Sequence, residues 1–126
     1  MKLSSSAAAL SGQMKKVATI KELLHMHHAH ENHFNHIHLS ACWMSLSRLV
    51  KARLAKQFWD SSIAKALEPM IHHTVCSAMA IQIDVRALAN IAHAAALAFK
   101  TLGHSDVQLF TTLAREAERH VGGFNP

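Results

Sequence analysis

The chain has 126 residues, half of them hydrophobic, which is one domain's worth with enough apolar side chains for a core. It is therefore not a disordered tail, and no apolar run reaches the eighteen or so residues of a membrane span. A formal charge of +5 with histidine neutral favours an anionic partner, while abundant Ala and Leu with four Gly and two Pro favour helices.

Residues 1–14 hold Ser4–Ser6 and Ala7–Ala9, and the first acidic residue is Glu22, after Lys2, Lys15, Lys16 and Lys21. This stretch is predicted to be disordered or targeting-like, although it lacks the arginines of a transit peptide. Residues 15–33 are predicted to form a lead-in helix over 15–28 and a histidine-rich loop. Val17, Ile20, Leu23 and Leu24 fall on one face of that helix.

The loop belongs to "HMHHAHENHFNHIH", residues 25–38, with seven histidines in fourteen positions. Imidazole is a common metal ligand, so His25, His27, His28, His30 and His33 are candidates for adventitious chelation. A resident metal site is not expected, because structural zinc sites usually add cysteine or carboxylate and only Glu31 is adjacent. "HENH" is one residue short of the His-Glu-x-x-His metalloprotease spacing, with Phe34 in the required place. His36 and His38 are set apart as structural positions of the helix that follows.

A second helix is predicted over 35–56, with Asn35 as N-cap and an apolar stripe of Leu39, Cys42, Trp43, Leu46 and Val50. A third starts near Gln57 and carries Phe58, Trp59, Ile63, Ala66 and Leu67. Pro69 is predicted to end or kink it, leaving 70–82 unassigned. A fourth covers 84–102, with Asp84 as N-cap, a face of Leu88, Ile91, Ala92, Ala95, Phe99 and Leu102, and Gly103 as C-terminal stop. A fifth covers 106–120, with a Ser105–Gln108 capping box before it and Gly122-Gly123 after it. No stretch reads as a strand. Cys42 and Cys76 match no zinc spacing and are expected as free thiols.

The helices repeat. Residues 34–41 align with 83–90 at an offset of 49, and Trp59 and Ile63 align with Leu109 and Leu113 at an offset of 50. One helical hairpin cannot bury its apolar face alone, whereas stacked hairpins cover each other. The expected fold is therefore all-α, an α-solenoid of about two helical hairpin repeats plus the lead-in helix. Repeat 1 spans 34–82 and repeat 2 spans 83–123. Residues 124–126, Phe-Asn-Pro, match the Phe34-Asn35 step and are expected to start a third repeat, as in a truncated array. A compact helical bundle is the alternative.

Three stretches carry a family likeness: "ATIKELLHMHHAHENHFNHIHLSACWMSLSRL" (18–49), "ALANIAHAAALAF" (87–99) and "LFTTLAREAERHVGGFNP" (109–126). They resemble, in order, the opening segment, the Leu-Ala-Asn helix and the repeat junction of octotricopeptide-repeat proteins. They also resemble the related FAST kinase-like proteins associated with RAP domains. His93 stands where that pattern commonly has tryptophan, and Pro69 and residues 75–83 depart from it. The resemblance implies sequence-selective binding of an organellar transcript in chloroplast or mitochondrion. The work implied is RNA stability, processing, splicing or translation, with other proteins of an RNA-processing complex as further partners.

The polar stripe of residues 84–102, Arg86, Asn90, His93 and Lys100, supplies candidate RNA contacts. So do Arg48 and Lys51 in the preceding repeat, where Ile37, Ala41 and Met44 share the stripe. Cations meet phosphates, and asparagine and histidine reach base edges or stack. A solvated polar face is the plain alternative, and Asn90 could instead be a buried helix-pair contact. Trp43, Trp59, Phe99 and Phe110 are assigned to the core rather than to base stacking. No nucleophile–base pair, Gly-rich phosphate loop, HRD or DFG is present, so no enzyme, no cofactor and no membrane partner are expected. Two other function classes stay open: a small His-rich metal-binding helical protein, and a helical protein–protein scaffold.

Overall fold

A computed structural model describes residues 7–52, 61–80, 82–102 and 106–124. Within them the chain is all-helical: α1 (Ala7–Lys16), α2 (Ile20–His30), a single 3₁₀ turn (Glu31–His33), α3 (His36–Ala52), α4 (Ser61–Met79), α5 (Val85–Leu102) and α6 (Val107–Phe124). No strand occurs among the described residues.

Side-chain caps set most of the helix starts. Asn35 Oδ1 accepts from the amides of Ile37 and His38, at 2.8 and 3.1 Å, and His38 Nδ1 accepts from Asn35 N at 2.9 Å. That is a reciprocal box in which histidine takes the place usually held by glutamate. Asp84 Oδ1 accepts from Ala87 N at 2.8 Å and opens α5. The cap of α6 is Asp106, whose Oδ1 accepts from Leu109 N at 2.8 Å. The expected Ser105 box and the expected stop at Gly103 lie outside the described residues, as do Gln57, Phe58 and Trp59.

Several expectations are corrected. The first fourteen residues are not simply a disordered lead, because Ala7–Lys16 is helical and buries Leu10 and Met14. The helix expected over 15–28 is two helices. Thr19 adopts an extended backbone, and its Oγ1 accepts from Glu22 N at 3.0 Å, so a cap interrupts the run. The helix expected to end at 28 continues to His30, and Glu31–His33 of the expected loop form a 3₁₀ turn. Pro69 ends nothing: α4 continues through it to Met79. A helix-interior proline costs about 3 kcal/mol. The offset comes from burying Leu67, Met70, Thr74, Val75 and Ala78 along the same helix. Gly122-Gly123 does not stop α6, which runs on to Phe124.

Packing runs between alternate helices. α1 lies against α3 and α3 against α5; α2 lies against α4 and α4 against α6. First helices therefore stack on first helices and second helices on second helices. The arrangement is solenoid-like, and α1–α2 fills the place of a hairpin before α3–α4. α3 sits in the middle of the first layer. Its Ser45 Oγ donates to Met14 O at 3.1 Å, and Arg48 Nη2 donates to Val17 O at 3.1 Å, both satisfying carbonyls at and just beyond the end of α1.

Trp43, fully buried on α3, joins the layers. Its Nε1–H donates to Thr74 Oγ1 of α4 at 2.9 Å, and Thr74 donates in turn to Met70 O at 2.8 Å. Its ring meets Phe99 of α5 edge-on at 5.8 Å, and Phe99 meets Phe110 of α6 edge-on at 6.0 Å. Beside it Cys42 Sγ donates to Met70 Sδ at 3.4 Å, and burial pushes that thiol's pKa up to about 12. At the far end of the stack an apolar trough between α5 and α6 is lined by Leu88, Ala92, Phe110, Leu113 and Ala117.

Removing the indole tests this centre. Trp43→Ala is expected to cost about 3–5 kcal/mol in denaturant unfolding, the usual range for a buried aromatic. Trp43→Phe, which keeps most of the packing and loses the bond to Thr74, is expected to cost less, about 1–3 kcal/mol.

Candidate functional site

Stacking of α1, α3 and α5 brings their outward sides into one groove. Ser11 and Lys15 come from α1, Ile37 and Met44 from α3, and Arg86 and Asn90 from α5. Ile37 and Met44 are each 52% exposed, so apolar side chains stand in the open between two cationic ones. At one end His36 Nε2 approaches Asp84 Oδ2 at 3.4 Å, which ties the start of α3 to the cap of α5.

The six candidate RNA contacts are all exposed, but they do not form one cluster. Arg86 and Asn90 line the groove. Asn90 is thus not a buried helix-pair contact. His93 and Lys100 lie further along α5, and Lys51 lies in the last turn of α3. Arg48 is engaged with Val17 O, which gives it a structural role in joining α1 to α3. Lys15 is absent from the candidates, which come from the two predicted repeats, whereas Lys15 is read as the start of the lead-in helix. The signal for α1 was available: Leu10, Met14 and Val17 follow i, i+4, i+7 spacing, and Thr19-x-x-Glu22 is a capping box.

The histidine tract divides by burial. His25, His28 and His33 are exposed and His30 is half-buried, whereas His27 is 1% exposed. His27 Nε2 lies 2.9 Å from Nδ1 of His73, on α4 and 46 residues away in sequence. The Phe34 ring stands perpendicular to His27 at 5.2 Å and tilted against His73 at 5.9 Å. The Glu31 carboxylate completes a triad whose ligand atoms all lie within 4.8 Å of one another. His73 carried no pattern in sequence; only the packing of α2 on α4 brings it to the tract.

The chain matches no protein-family model, curated protein or solved structure.

Burial lowers the pKa of His27 to about 4, helped by the neighbouring His73 and His28 and opposed by Glu31. Burial also lowers that of His73, with Glu31 opposing and His72 assisting. Both rings are therefore neutral at pH 7. An unfolded chain takes up these protons near pH 6.5, before the folded chain does. The stability they contribute is present above about pH 6.5 and is lost as pH falls toward the folded values. The melting temperature is expected to drop by several degrees between pH 7 and pH 5, above the range where carboxylates titrate. His27→Leu is expected to remove much of that slope. A melting temperature that rises toward pH 5 would contradict this origin.

Proposed function

We propose that the chain is an RNA-binding helical-repeat module of the octotricopeptide-repeat or FAST kinase-like kind. It would act in post-transcriptional expression of organellar genes in chloroplast or mitochondrion, by binding and recruitment rather than by catalysis. The observation that carries this is the groove along the stacked first helices. There Lys15 and Arg86 flank open apolar side chains, and Asn90 offers a base-edge partner. Such a combination suits single-stranded RNA: cations for phosphates, open apolar side chains for bases to rest on, and an amide for hydrogen bonds. The net charge of +5 adds a long-range attraction for the phosphate backbone. The organelle and the processing role rest on the resemblance of residues 18–49, 87–99 and 109–126 alone.

A repeat array of this type reads about one base per repeat, so a stack of this length gives little sequence discrimination. Weak binding through phosphates is expected, with affinity falling as salt rises. Fluorescence anisotropy of a labelled single-stranded RNA of mixed sequence measures it. The Lys15→Ala/Arg86→Ala double variant is expected to bind several-fold more weakly. It should also reduce the slope of log affinity against log salt by about 0.7 for each phosphate contact removed. Lys65→Ala, an exposed lysine on α4, is expected to leave both unchanged. An equal loss in all variants, or no RNA binding at low salt, would overturn the proposal; tight and sequence-selective binding would contradict the weak, phosphate-driven mode expected here.

A further inference from the structure

We propose that His27, Glu31 and His73 form a site for one divalent transition-metal ion of the zinc class, pinning α2 to α4. The site lies apart from the first-helix groove and does not depend on RNA binding.

The donors suit such an ion in type and in spacing. His27 and Glu31 are four residues apart, so one helical turn sets the imidazole above the carboxylate. His73 closes the triad from the neighbouring helix, with all three ligand atoms within 4.8 Å of one another. Two imidazoles and one carboxylate with a water in the fourth position are a common zinc environment, and a set with two nitrogens disfavours calcium and magnesium. Zinc–nitrogen bonds of about 2.0–2.1 Å in a tetrahedron place two nitrogens about 3.3 Å apart. His27 Nε2 and His73 Nδ1 are 2.9 Å apart, so the rings need to part by only a few tenths of an ångström.

Proton bookkeeping is simple. In the metal-free chain one imidazole donates to the other across the 2.9 Å contact. The ion takes both lone pairs, so the donor ring moves its proton to its other nitrogen and none need leave. Phe34, packed against both rings, keeps that side of the site dry. Glu31 and His73 are half-buried and leave an open side for the ion to enter.

The consequence is mechanical. α2 belongs to the first hairpin and α4 to the second, and the two ligand histidines are 46 residues apart in sequence. An ion held by both favours the folded chain, because the unfolded chain cannot present the triad.

The test uses the full chain stripped with a chelator and titrated with zinc chloride, with cobalt(II) as a spectroscopic probe. One equivalent is expected to bind, to give the d–d bands of a tetrahedral cobalt site, and to raise Tm by about 10 °C at a hundredfold excess over Kd. Glu31→Gln and His73→Gln are conservative changes at half-buried positions, and each is expected to melt close to the parent without metal. Both should lose the rise in Tm and the cobalt bands, with affinity reduced at least tenfold. His25→Gln/His28→Gln, which thins the exposed tract, and Cys76→Ser, which removes the exposed Cys76–His72 contact, should keep them. A parent Tm that zinc leaves unmoved, or a rise that survives Glu31→Gln and His73→Gln, overturns the site and assigns any binding to the tract.

Discussion

Trp43 touches both layers of the stack through specific geometry. Its N–H fixes α3 to Thr74 of α4, and its ring edge fixes α3 to Phe99 of α5. Phe99 passes the contact on to Phe110 of α6. A buried indole needs a partner for its N–H, and few positions on the facing helix can supply one. That requirement sets the register of α4 against α3. The helix that must hold Thr74 in place is the same one that continues through Pro69. The packing around Met70, Thr74 and Ala78 keeps α4 helical where local propensity alone would break it.

Once α3 is placed between α1 and α5, the surface follows. The buried stripe of each first helix fixes which residues face outward, so Lys15, Ile37, Met44, Arg86 and Asn90 come to one groove from three separate helices. The second layer gives a different result. α2 faces α4 through His27 and His73, where an apolar pair would have served for packing alone. One sheltered imidazole pair with a carboxylate beside it is chemistry that a core does not require. The two layers thus carry two kinds of surface, an open cationic one and a sheltered nitrogen-rich one.

Local signals were the legible part of the sequence. Asn35 and Asp84 are good caps followed by clear apolar periodicity, and both helices begin there. The apolar stripe of Leu39, Cys42, Trp43, Leu46 and Val50 is buried throughout. α3 and α5, which begin at the aligned steps Asn35 and Asp84, pack against each other, as helices with equivalent stripes can. What failed was competition between signals of similar strength. Thr19 and Glu22 cap α2, but they sit inside an apolar run that also fits one continuous helix. Pro69 is a strong local breaker, and tertiary packing outweighs it. The His27–Glu31–His73 triad has only half its pattern in sequence, because His73 comes from a helix 46 residues on.

The outward face of α1, α3 and α5 is the proposed working surface of the chain. An NMR titration of the isotope-labelled full chain with a short single-stranded RNA tests that claim most directly. The shifted amides are expected to cluster at Lys15, Ile37, Met44, Arg86 and Asn90, on the three first helices. Shifts concentrated on α4 and α6, or no shifts at low salt, would contradict it.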